Sequence, residues 1–433
     1  MKRLAILFLA SIMFGCNGIN PLKNVALKSF PYENYVKSLE RAELDNSAMA
    51  RQWLQAGKDA LTDSTEMGMP FAESGYFLAS QPAARSYRFD ARRGQVLTVE
   101  GNRIGGDDSR LFLDLFVLKE NNWLPVAHGD STLSLAYEFD SDARCVVRLQ
   151  PELLLTTNYS ISISLTPVLL NPVSGATNKS IKSFYGDSRD GGKRTHEGVD
   201  IFATKGTPVI APTPGVVTRV GTGKLGGNVI WMRDEKRGHS YYFAHLDKQL
   251  VTPGTIVEKG DTLGTVGNTG NARRTPPHLH FGIYQHTSFD PVHFIQTLGE
   301  RVEATPWDTT IREFDYKVAA QTIPLKLGPG QRYNDITLLT KGTYLQIVAQ
   351  SDSWYRVQLP DGRKGFVSKT KISPIKKGKN LQIKDSATVF SKAGDDAIPL
   401  QHLESPGTVE VLATFEKFKF VRTQQGIIGW LII

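Results

Sequence analysis

The segment TPPHLHF, Thr275 to Phe281, carries two histidines one residue apart, after a Gly- and Asn-rich stretch and before an apolar run. Successive side chains of a β-strand point to opposite faces, so His278 and His280 share a face if this segment is a strand. The pair is then either an ordinary piece of strand that carries imidazoles or one half of a metal site. The other residues that the chain can bring to this face decide between the two.

A second segment, THEGVDIF from Thr195 to Phe202, supplies an imidazole and a carboxylate at alternating positions. His196, Gly198 and Asp200 share a face in extended chain, and the glycine leaves room for both side chains. His245 ends another short run, YYFAHL. A catalytic zinc site takes three protein ligands from His, Asp, Glu or Cys and leaves a fourth position for water. Each motif is weak alone, but together they predict a metal site.

These segments belong to a block at residues 172–297, in which Gly and Pro separate short Val- and Ile-rich runs. Such punctuation predicts an all-β domain of short antiparallel strands. The block contains FYGDSRDGGKRTHEGVDI, GTPVIAPTPGVV, GGNVI, VTPGTIVEKGDTLGTVGNTG and HLHF. In this order, the motifs resemble the lysostaphin/LytM-type zinc endopeptidases of peptidoglycan.

The resemblance implies a role for each of the candidate residues. His196, Asp200 and His280 would bind one Zn²⁺, while His245 and His278 would stand beside the reacting water as catalytic residues. One imidazole can accept or donate a proton near neutral pH, and a second can hydrogen-bond the developing oxyanion or the departing amine. Which of the two is the general base stays open at this point.

Other polar residues of the block have weaker claims to a site. Tyr185 and Arg189, just before the first predicted ligand, either line a substrate groove or are an ordinary turn residue and a surface cation. His239 has the same strand parity as His245 if the strand is regular, so it either approaches the groove or, in the interpretation we prefer, is a solvated strand histidine. We interpret His286 and His293 as structural residues.

The first residues, MKRLAILFLASIMFGC, combine a basic start with about ten apolar residues, too few to span a bilayer as a helix. This pattern is typical of a secretory signal. Its end, Gly15-Cys16, resembles a bacterial lipoprotein signal, although Met13 and Phe14 depart from the usual small aliphatic residues. We therefore expect an exported lipoprotein, anchored to a membrane through Cys16 and facing the periplasm or the cell surface.

Composition excludes some functions and leaves others open. The formal net charge is +8, but the basic residues are scattered and no aromatic-basic pattern suggests a nucleic-acid groove. A mild positive balance fits weak attraction to an anionic surface or simply solubility. If Cys16 carries a lipid, Cys145 has no intrachain partner, so we interpret it as a small buried hydrophobe in a strand.

At 433 residues the chain is long enough for about two to four domains, and its pattern predicts a mainly β, multidomain protein. Apolar residues that include Leu39 and Trp53 recur at steps of three and four, and this stripe predicts one helix over residues 35–60, within a helical segment at 22–70. We interpret the stripe as a packing face. Short alternating runs between 71 and 166 predict an antiparallel β-sandwich. It resembles the pre-peptidase or carbohydrate-binding-like sandwiches appended to secreted bacterial hydrolases, which implies a binding or positioning role.

The last third of the chain contains two related segments. Residues 320–374 resemble a bacterial Src-homology-type barrel of the cell-wall-associated kind, and Asp361-Gly362 predicts a hairpin within it. Residues 380–433 resemble a degenerate second copy, in which Trp430 stands in the place of Phe366.

We expect an exported zinc endopeptidase that hydrolyses peptide cross-links of peptidoglycan, positioned on the wall by its sandwich and barrels. The alternative is a non-hydrolytic LytM-type wall-binding protein that activates another wall hydrolase; such relatives usually lack some ligands, whereas none is missing here. A third option is a related zinc enzyme that acts on other peptides, because the H-x-H pair recurs in carboxypeptidases of wall precursors. The cleaved bond, D-Ala to diaminopimelate or a glycine bridge, and any partners in wall synthesis or division stay open.

Overall fold

The structure, a computed structural model, describes residues 30–104, 110–313, 316–318 and 321–432. The predicted signal at residues 1–16, with the lipidation site Cys16, lies outside these residues. Strands dominate the described part of the chain and form several separate sheets, so the prediction of a mainly β, multidomain protein is confirmed. Among the described helices, none combines the length and the apolar composition that crossing a membrane requires.

The N-terminal segment forms two helices, α1 (Pro31–Arg41) and α2 (Ala48–Thr62), so the prediction of one helix over residues 35–60 was wrong. The chain turns at Glu43, which has a φ of 57°. Ser47 then begins α2, and its side chain accepts a hydrogen bond from the backbone N–H of Ala50.

The apolar stripe that suggested a single helix nevertheless packs on one surface. Leu39 of α1 and Trp53 of α2 both pack against Phe112. The apolar residues therefore continue at steps of three and four on both sides of the turn, because α1 and α2 cover the same patch of the sandwich.

The sandwich occupies residues 71–167. Its strands are β1 (Phe71–Phe77), β2 (Arg85–Ala91), β3 (Gln95–Ile104), β4 (Leu111–Lys119), β5 (Asn122–His128), β6 (Ser134–Glu138), β7 (Ala143–Pro151) and β8 (Thr157–Pro167). One sheet has the order β2-β7-β4-β5, and β1-β8-β3-β6 belong to the second. Cys145 is fully buried in the core between them, as predicted, and burial raises the pKa of its thiol to about 12.

The central block follows between residues 172 and 297. Its strands and helix are β9 (Ile181–Ser183), β10 (Ser188–Arg189), β11 (Arg194–Thr195), β12 (Val199–Phe202), β13 (Pro208–Ile210), β14 (Gly215–Gly223), β15 (Gly227–Asp234), β16 (His239–Gln249), β17 (Ile256–Val257), β18 (Thr262–Val266), β19 (His278–Tyr284), β20 (Ser288–Phe289) and α3 (Val292–Ile295). The main path of its antiparallel sheet runs β17-β14-β15-β16-β19-β12-β9. Strands β10 and β11 form a separate hairpin at the end of the sheet where β9 and β12 lie.

The C-terminal third contains a first barrel (residues 316–374) and a second barrel (residues 379–432). Their strands are β21 (Tyr316–Val318), β22 (Ile323–Lys326), β23 (Asp335–Leu339), β24 (Tyr344–Ser351), β25 (Trp354–Gln358), β26 (Lys364–Ser368), β27 (Ile372–Pro374), β28 (Lys379–Ile383), β29 (Ala387–Phe390), β30 (Pro399–Leu403), β31 (Gly407–Phe415), β32 (Phe418–Thr423) and β33 (Ile428–Ile432). The second barrel has its own six-stranded sheet, and Trp430 is buried there as Phe366 is in the first.

One feature that the sequence did not indicate is a sheet shared by the sandwich and the first barrel. Strand β1 pairs with β24, with Ser74 opposite Gln350 and Gly75 opposite Ala349, which extends one sheet to eleven strands. In sequence, the central block therefore lies between two segments that build one sheet. Its own contacts with the sandwich include the Arg237–Glu138 ion pair at 2.6 Å and the guanidinium of Arg93 over the ring of Phe289.

Candidate metal centre

Three strands in the middle of the central sheet carry the candidate residues. Strand β12 pairs with β19 in a register that sets Asp200 directly opposite His280. Cβ atoms in such a pair lie about 4.5–5.5 Å apart, so both side chains meet on one face. Strand β16 flanks β19 on its other edge, and its Ala244 lies opposite the same His280. Strand pairing therefore brings together residues that are about 80 positions apart in sequence.

Three ligand atoms converge at the end of β12. The Nε2 atom of His196 lies 3.0 Å from Oδ1 of Asp200 and 2.9 Å from Nδ1 of His280, and the last two atoms are 3.1 Å apart. Tetrahedral zinc, with bonds of about 2.0–2.2 Å, separates its ligand atoms by roughly 3.3–3.5 Å. The observed triangle is slightly smaller than that, so the three residues fit a zinc ion with a small adjustment.

Proton placement explains why this triangle calls for a cation. The Nδ1 atom of His196 lies 2.8 Å from the carbonyl oxygen of Phe184, which can only accept, so this nitrogen carries a proton. In the neutral ring, Nε2 then directs a lone pair at the carboxylate of Asp200. Protonating both nitrogens that face Asp200 would set two N–H groups against each other at 2.9 Å. A metal ion between the three atoms satisfies all of them at once.

Gly198 makes room for this arrangement. A Cβ at this position would lie 2.5 Å from the carbonyl oxygen of Phe281 and within 2.9 Å of the ring of His280. These distances are too short for any side chain, so glycine is required here by the approach of β19 and its imidazole. The H-x-G-x-D spacing is thus explained by packing as well as by ligand alternation.

His245 and His278 stand next to the triangle, with their ring centroids 5.0 Å apart. The Nδ1 atom of His245 lies 2.9 Å from the carbonyl oxygen of Thr269, and that of His278 lies 2.9 Å from the carbonyl oxygen of Pro276. Both nitrogens must donate to these carbonyls, so in each neutral ring Nε2 is the proton acceptor. Two backbone carbonyls thereby fix the orientation and the tautomer of two imidazoles.

The backbone and the surroundings of His245 are unusual. Its φ of 62° lies in the left-handed region, which residues other than glycine rarely adopt. Burial, followed by the nearby imidazoles of His278 and His280, lowers the pKa of His245 to about 4. His245 is therefore neutral near pH 7 and is able to accept a proton. Such strain and such shifts are concentrated at functional sites.

All five predicted residues line one open groove of about 910 Å³. Arg189 also lines it, and its Nη2 atom donates to Oδ2 of Asp200 at 3.0 Å. Burial alone would raise the pKa of Asp200, but its contacts with the imidazoles of His196 and His280 keep that pKa well below the usual range. Arg189 thus occupies the carboxylate oxygen that faces away from the triangle.

Two further predictions have different outcomes. The hydroxyl of Tyr185 donates to the carbonyl of Ser288 at 3.0 Å, and its role in substrate binding stays a prediction. The interpretation of His239 as a solvated residue was wrong, because only 6% of it is exposed and it packs edge-on against Phe289 and Phe294. Aromatic residues that follow β19 cover this end of β16, and strand periodicity alone cannot reveal such a cover.

Some contributors to the site were missed by sequence reasoning. The carbonyl groups of Phe184, Thr269 and Pro276 orient three of the imidazoles, but a backbone acceptor leaves no signature in residue type. Phe202 stacks on His278 with ring centroids 4.9 Å apart. That contact could have been found, because Phe202 shares strand parity with Asp200.

Comparison with known families agrees with this geometry. The family model described as peptidase family M23 matches residues 194–291, and the model described as bacterial SH3 domain matches residues 323–373. The chain thus contains an M23 peptidase domain of the lysostaphin/LytM type and a bacterial SH3 domain, which confirms both resemblances noted in the sequence.

Three curated relatives are similar to the central block. An L-Ala–D-Glu endopeptidase of Bacillus subtilis is 41% identical over 133 residues, which cover 28% of this chain and 40% of the relative. The peptidoglycan DD-endopeptidase ShyC of Vibrio cholerae is 33% identical over 121 residues, 28% of this chain and 24% of the relative. The glycyl-glycine endopeptidase ALE-1 of Staphylococcus capitis is 36% identical over 110 residues, 24% of this chain and 30% of the relative. The chain matches less than half of the length of each of these relatives.

Proposed function

We propose that this protein is an exported, zinc-dependent endopeptidase that hydrolyses peptide cross-links of bacterial peptidoglycan. The premise is the M23 domain at residues 194–291, whose relatives are named as endopeptidases for three different peptide bonds. The observation that carries the proposal is the convergence of His196, Asp200 and His280 beside two oriented imidazoles in one groove.

His196, Asp200 and His280 would hold the metal ion. Zinc bound there supplies Lewis acidity, which lowers the pKa of water and polarises a peptide carbonyl. The single carboxylate among the ligands leaves the loaded site with less positive charge than three histidines would. Arg189 holds the outer oxygen of Asp200, so the inner oxygen faces the ligand triangle.

His245 and His278 would handle the protons of peptide hydrolysis. Each ring has its Nδ1 hydrogen on a backbone carbonyl, so Nε2 is the atom that can accept a proton from attacking water. The ring that takes this proton becomes an imidazolium, which can pass the same proton to the departing amine, and while protonated it can also hydrogen-bond the developing oxyanion. Two imidazoles with ring centroids 5.0 Å apart can divide these tasks without any movement of the backbone.

A lipid at Cys16 would hold the protein at a membrane, while the sandwich and the barrels would orient the groove toward the wall. The shared sheet of β1 and β24 supports a rigid connection between the sandwich and the first barrel. Labelling cells with radioactive palmitate tests the anchor. Wild type should be labelled, and a Cys16→Ser variant should not.

The competing function, a non-hydrolytic protein that activates another wall hydrolase, makes a different prediction. Such a protein needs no complete set of acid-base residues, whereas all five predicted residues line the groove here. Stimulation of a partner amidase, without cleavage by the zinc-loaded protein itself, would support this alternative.

Digestion of purified sacculi tests the proposal directly. The mature wild-type protein should release muropeptides that mass spectrometry identifies as cleaved cross-links, and a chelator should abolish this release until zinc is added back. His245→Ala should bind zinc and release almost nothing. If the variant and wild type release the same products, or if zinc-loaded wild type releases none, the proposed activity is wrong.

A further inference from the structure

A β-bulge in strand β16 contains His245. Between two pairs of β15 and β16, Ile230–Phe243 and Asn228–Leu246, strand β16 has one residue more than β15. His245 lies in this interval, with its left-handed φ of 62°. A bulge bends its strand and can re-aim a side chain. Because such a backbone conformation persists only where the surrounding structure holds it, the groups that hold this bulge bear on the orientation of the imidazole.

Two neighbouring segments hold the main chain of His245. Its N–H donates to the carbonyl of Gly226 at 2.7 Å, and its carbonyl accepts from the N–H of Thr269 at 3.4 Å. Gly226 directly precedes β15, whereas Thr269 follows β18. The carbonyl of Thr269 also accepts the Nδ1 hydrogen of His245 at 2.9 Å. The orientation of the imidazole therefore depends on where these two segments lie relative to β16.

The side chain of Thr269 connects the two segments to each other and to β16. Its Oγ1 atom accepts from the backbone N–H of Asn228 at 3.0 Å and donates to the carbonyl of Leu246 at 2.9 Å. A hydroxyl can accept one hydrogen bond and donate another, which a methyl group cannot. The segments are in direct contact, since a Cβ on Gly227 would lie 2.2 Å from this oxygen. One atom thus links β15, the residue after His245 and the loop that carries the acceptor of its imidazole.

The side chain of Asn228 holds the far side of the bulge. Its Nδ2 atom donates to the carbonyls of Leu246 and Asp247, both at 3.2 Å. Its Oδ1 atom accepts from the hydroxyl of Thr222 at 3.1 Å. Because a carbonyl oxygen can only accept, the amide nitrogen must be the atom that faces Leu246 and Asp247. Asn228 thereby fixes the two residues that directly follow His245.

We propose that Asn228 and Thr269 are positioning residues, which hold the bulge at His245 so that its imidazole stays beside the metal-binding triangle. Both belong to the part of the chain that the structure describes, and neither lines the groove, so they act through His245 and not on the substrate. The proposal rests on the proposed function, because it concerns an acid-base residue of that reaction. His278 differs, since its Nδ1 partner is the carbonyl of Pro276, two residues earlier in the same segment.

The variant Thr269→Val tests the proposal, because it keeps the shape of the side chain and removes the hydroxyl. A misplacement of about 1 Å can cost about 10²-fold in rate, so kcat on cross-linked muropeptides purified from sacculi should fall roughly 10–100-fold. KM should change by less than about twofold, since no group that lines the groove is removed. Zinc content should equal that of wild type, because the three predicted ligands are untouched.

Two further variants separate positioning from a general loss of structure. Thr269→Ser restores the hydroxyl and should recover most of the wild-type kcat. Thr265→Val is the matched control, since the hydroxyl of Thr265 accepts from the backbone N–H of Lys248 at 3.2 Å. That bond also links a threonine to β16, but three residues beyond His245, so Thr265→Val should keep the wild-type kcat.

A second measurement follows the imidazole without any substrate. A buried Nδ1–H that donates to a carbonyl exchanges slowly and gives a downfield proton signal in the NMR spectrum. The signal of His245 in the zinc-loaded protein is identified by its absence in His245→Ala. It should be lost or shifted in Thr269→Val, and it should be kept in Thr269→Ser and Thr265→Val.

Each outcome supports or overturns the proposal. If Thr269→Val keeps both the wild-type kcat and the His245 signal, the positioning role is overturned and the endopeptidase remains. If Thr269→Val loses zinc or fails to fold, or if Thr269→Ser is as impaired as Thr269→Val, the hydroxyl does not act through His245 and the proposal is wrong. If zinc-loaded wild type cleaves nothing while the signal responds as expected, the proposed function fails and the positioning of the imidazole stands.

Discussion

Two clusters of buried charge in this molecule differ in whether their acceptors are already satisfied. Where the sandwich meets the first barrel, Oε2 of Glu73 accepts from Arg356 at 2.7 Å, and Oε1 accepts from the hydroxyls of Tyr87 and Tyr159, both at 2.9 Å. At the candidate metal centre, two imidazole nitrogens and a carboxylate oxygen converge within 3.1 Å, and no arrangement of protons links all three well. In the first cluster both carboxylate oxygens have donors in the folded protein, whereas the arrangement of the second fits a cation.

The difference separates a structural use of buried charge from a functional one. Buried acceptors that have donors stabilise a unique arrangement of elements, because removing a donor leaves its acceptor buried without a hydrogen-bond partner. Buried acceptors that converge on each other raise the energy of the folded protein until a ligand arrives. The two clusters should therefore respond to substitution in opposite ways, one in stability and the other in zinc binding and activity.

The largest expected effect is at the metal centre, where His280 and His278 should behave differently. His280→Ala removes one corner of the triangle, so zinc content after gel filtration should fall to background and kcat/KM should fall by roughly 10³-fold or more. His278→Ala should keep zinc and still lose about 10²–10⁴-fold in kcat, since it removes only an acid-base group. Zinc loss in His278→Ala would contradict this division of roles.

The junction cluster should show a large effect on stability and none on chemistry. Arg356→Met leaves Glu73 buried without its cation, which should lower the free energy of unfolding by about 3–5 kcal/mol in urea titrations. Zinc content of the folded protein should not change. Arg422→Met is the matched control: the Arg422–Glu410 pair in the second barrel is more exposed, and its loss should cost at most about 1 kcal/mol. An equal loss of unfolding free energy in Arg356→Met and Arg422→Met would contradict the structural role of the buried Glu73–Arg356 pair.

Arg189 tests whether the metal centre has a structural support of its own. Because its guanidinium binds the outer oxygen of Asp200 at 3.0 Å, Arg189→Ala should weaken zinc binding about 10–100-fold in a competition titration with a chelator. Arg194→Ala is the control, since Arg194 lies on the same hairpin and pairs with Asp190 instead. A rise in KM with unchanged zinc affinity would instead support the predicted role of Arg189 in substrate binding.

The two clusters also differ in how far the sequence predicts them. His196, Asp200 and His280 could be found from sequence because strand periodicity aligns each motif by itself, and only one pairing, β12 with β19, had to be supplied by the fold. Glu73 and Arg356 belong to no motif. They meet because β1 adds to β24 across more than 270 residues of chain, and nothing local in either strand encodes that pairing.

The N-terminal helices show another limit of prediction from sequence. The stripe that joins Leu39 to Trp53 predicted their common packing surface correctly, yet one helix was expected where two are found. The periodicity of apolar residues indicates which side chains face the core. It does not reveal a turn after which the second helix presents its apolar residues to the same surface. The cap at Ser47 was the local signal of that turn.

The smallest effect is expected at His239, a buried polar residue that is neither satisfied like Glu73 nor convergent like the triangle. Its Nδ1 atom has no hydrogen-bond partner within the described ranges, and Nε2 lies 3.5 Å from the guanidinium of Arg93, on the sandwich. Burial, followed by the charge of Arg93, lowers the pKa of His239 to about 4, although Asp234 and Glu138 oppose this shift.

Acid should therefore weaken the contact between the sandwich and the central block. In the unfolded chain this histidine has its usual pKa of about 6.5. Below that pH the unfolded state binds a proton at His239, whereas the folded state does not until the pH approaches about 4. Stability should fall as pH drops from about 6.5 toward 4 and should not depend on His239 above that range. Urea titrations at several pH values should show a shallower decline for His239→Gln, whereas His286→Gln, at an exposed position, should decline as wild type does. If the stability of His239→Gln declined with acid as steeply as that of wild type, His239 would take up its proton equally well in the folded protein. A protonated imidazole at this buried position would need an acidic partner, as Arg356 has in Glu73.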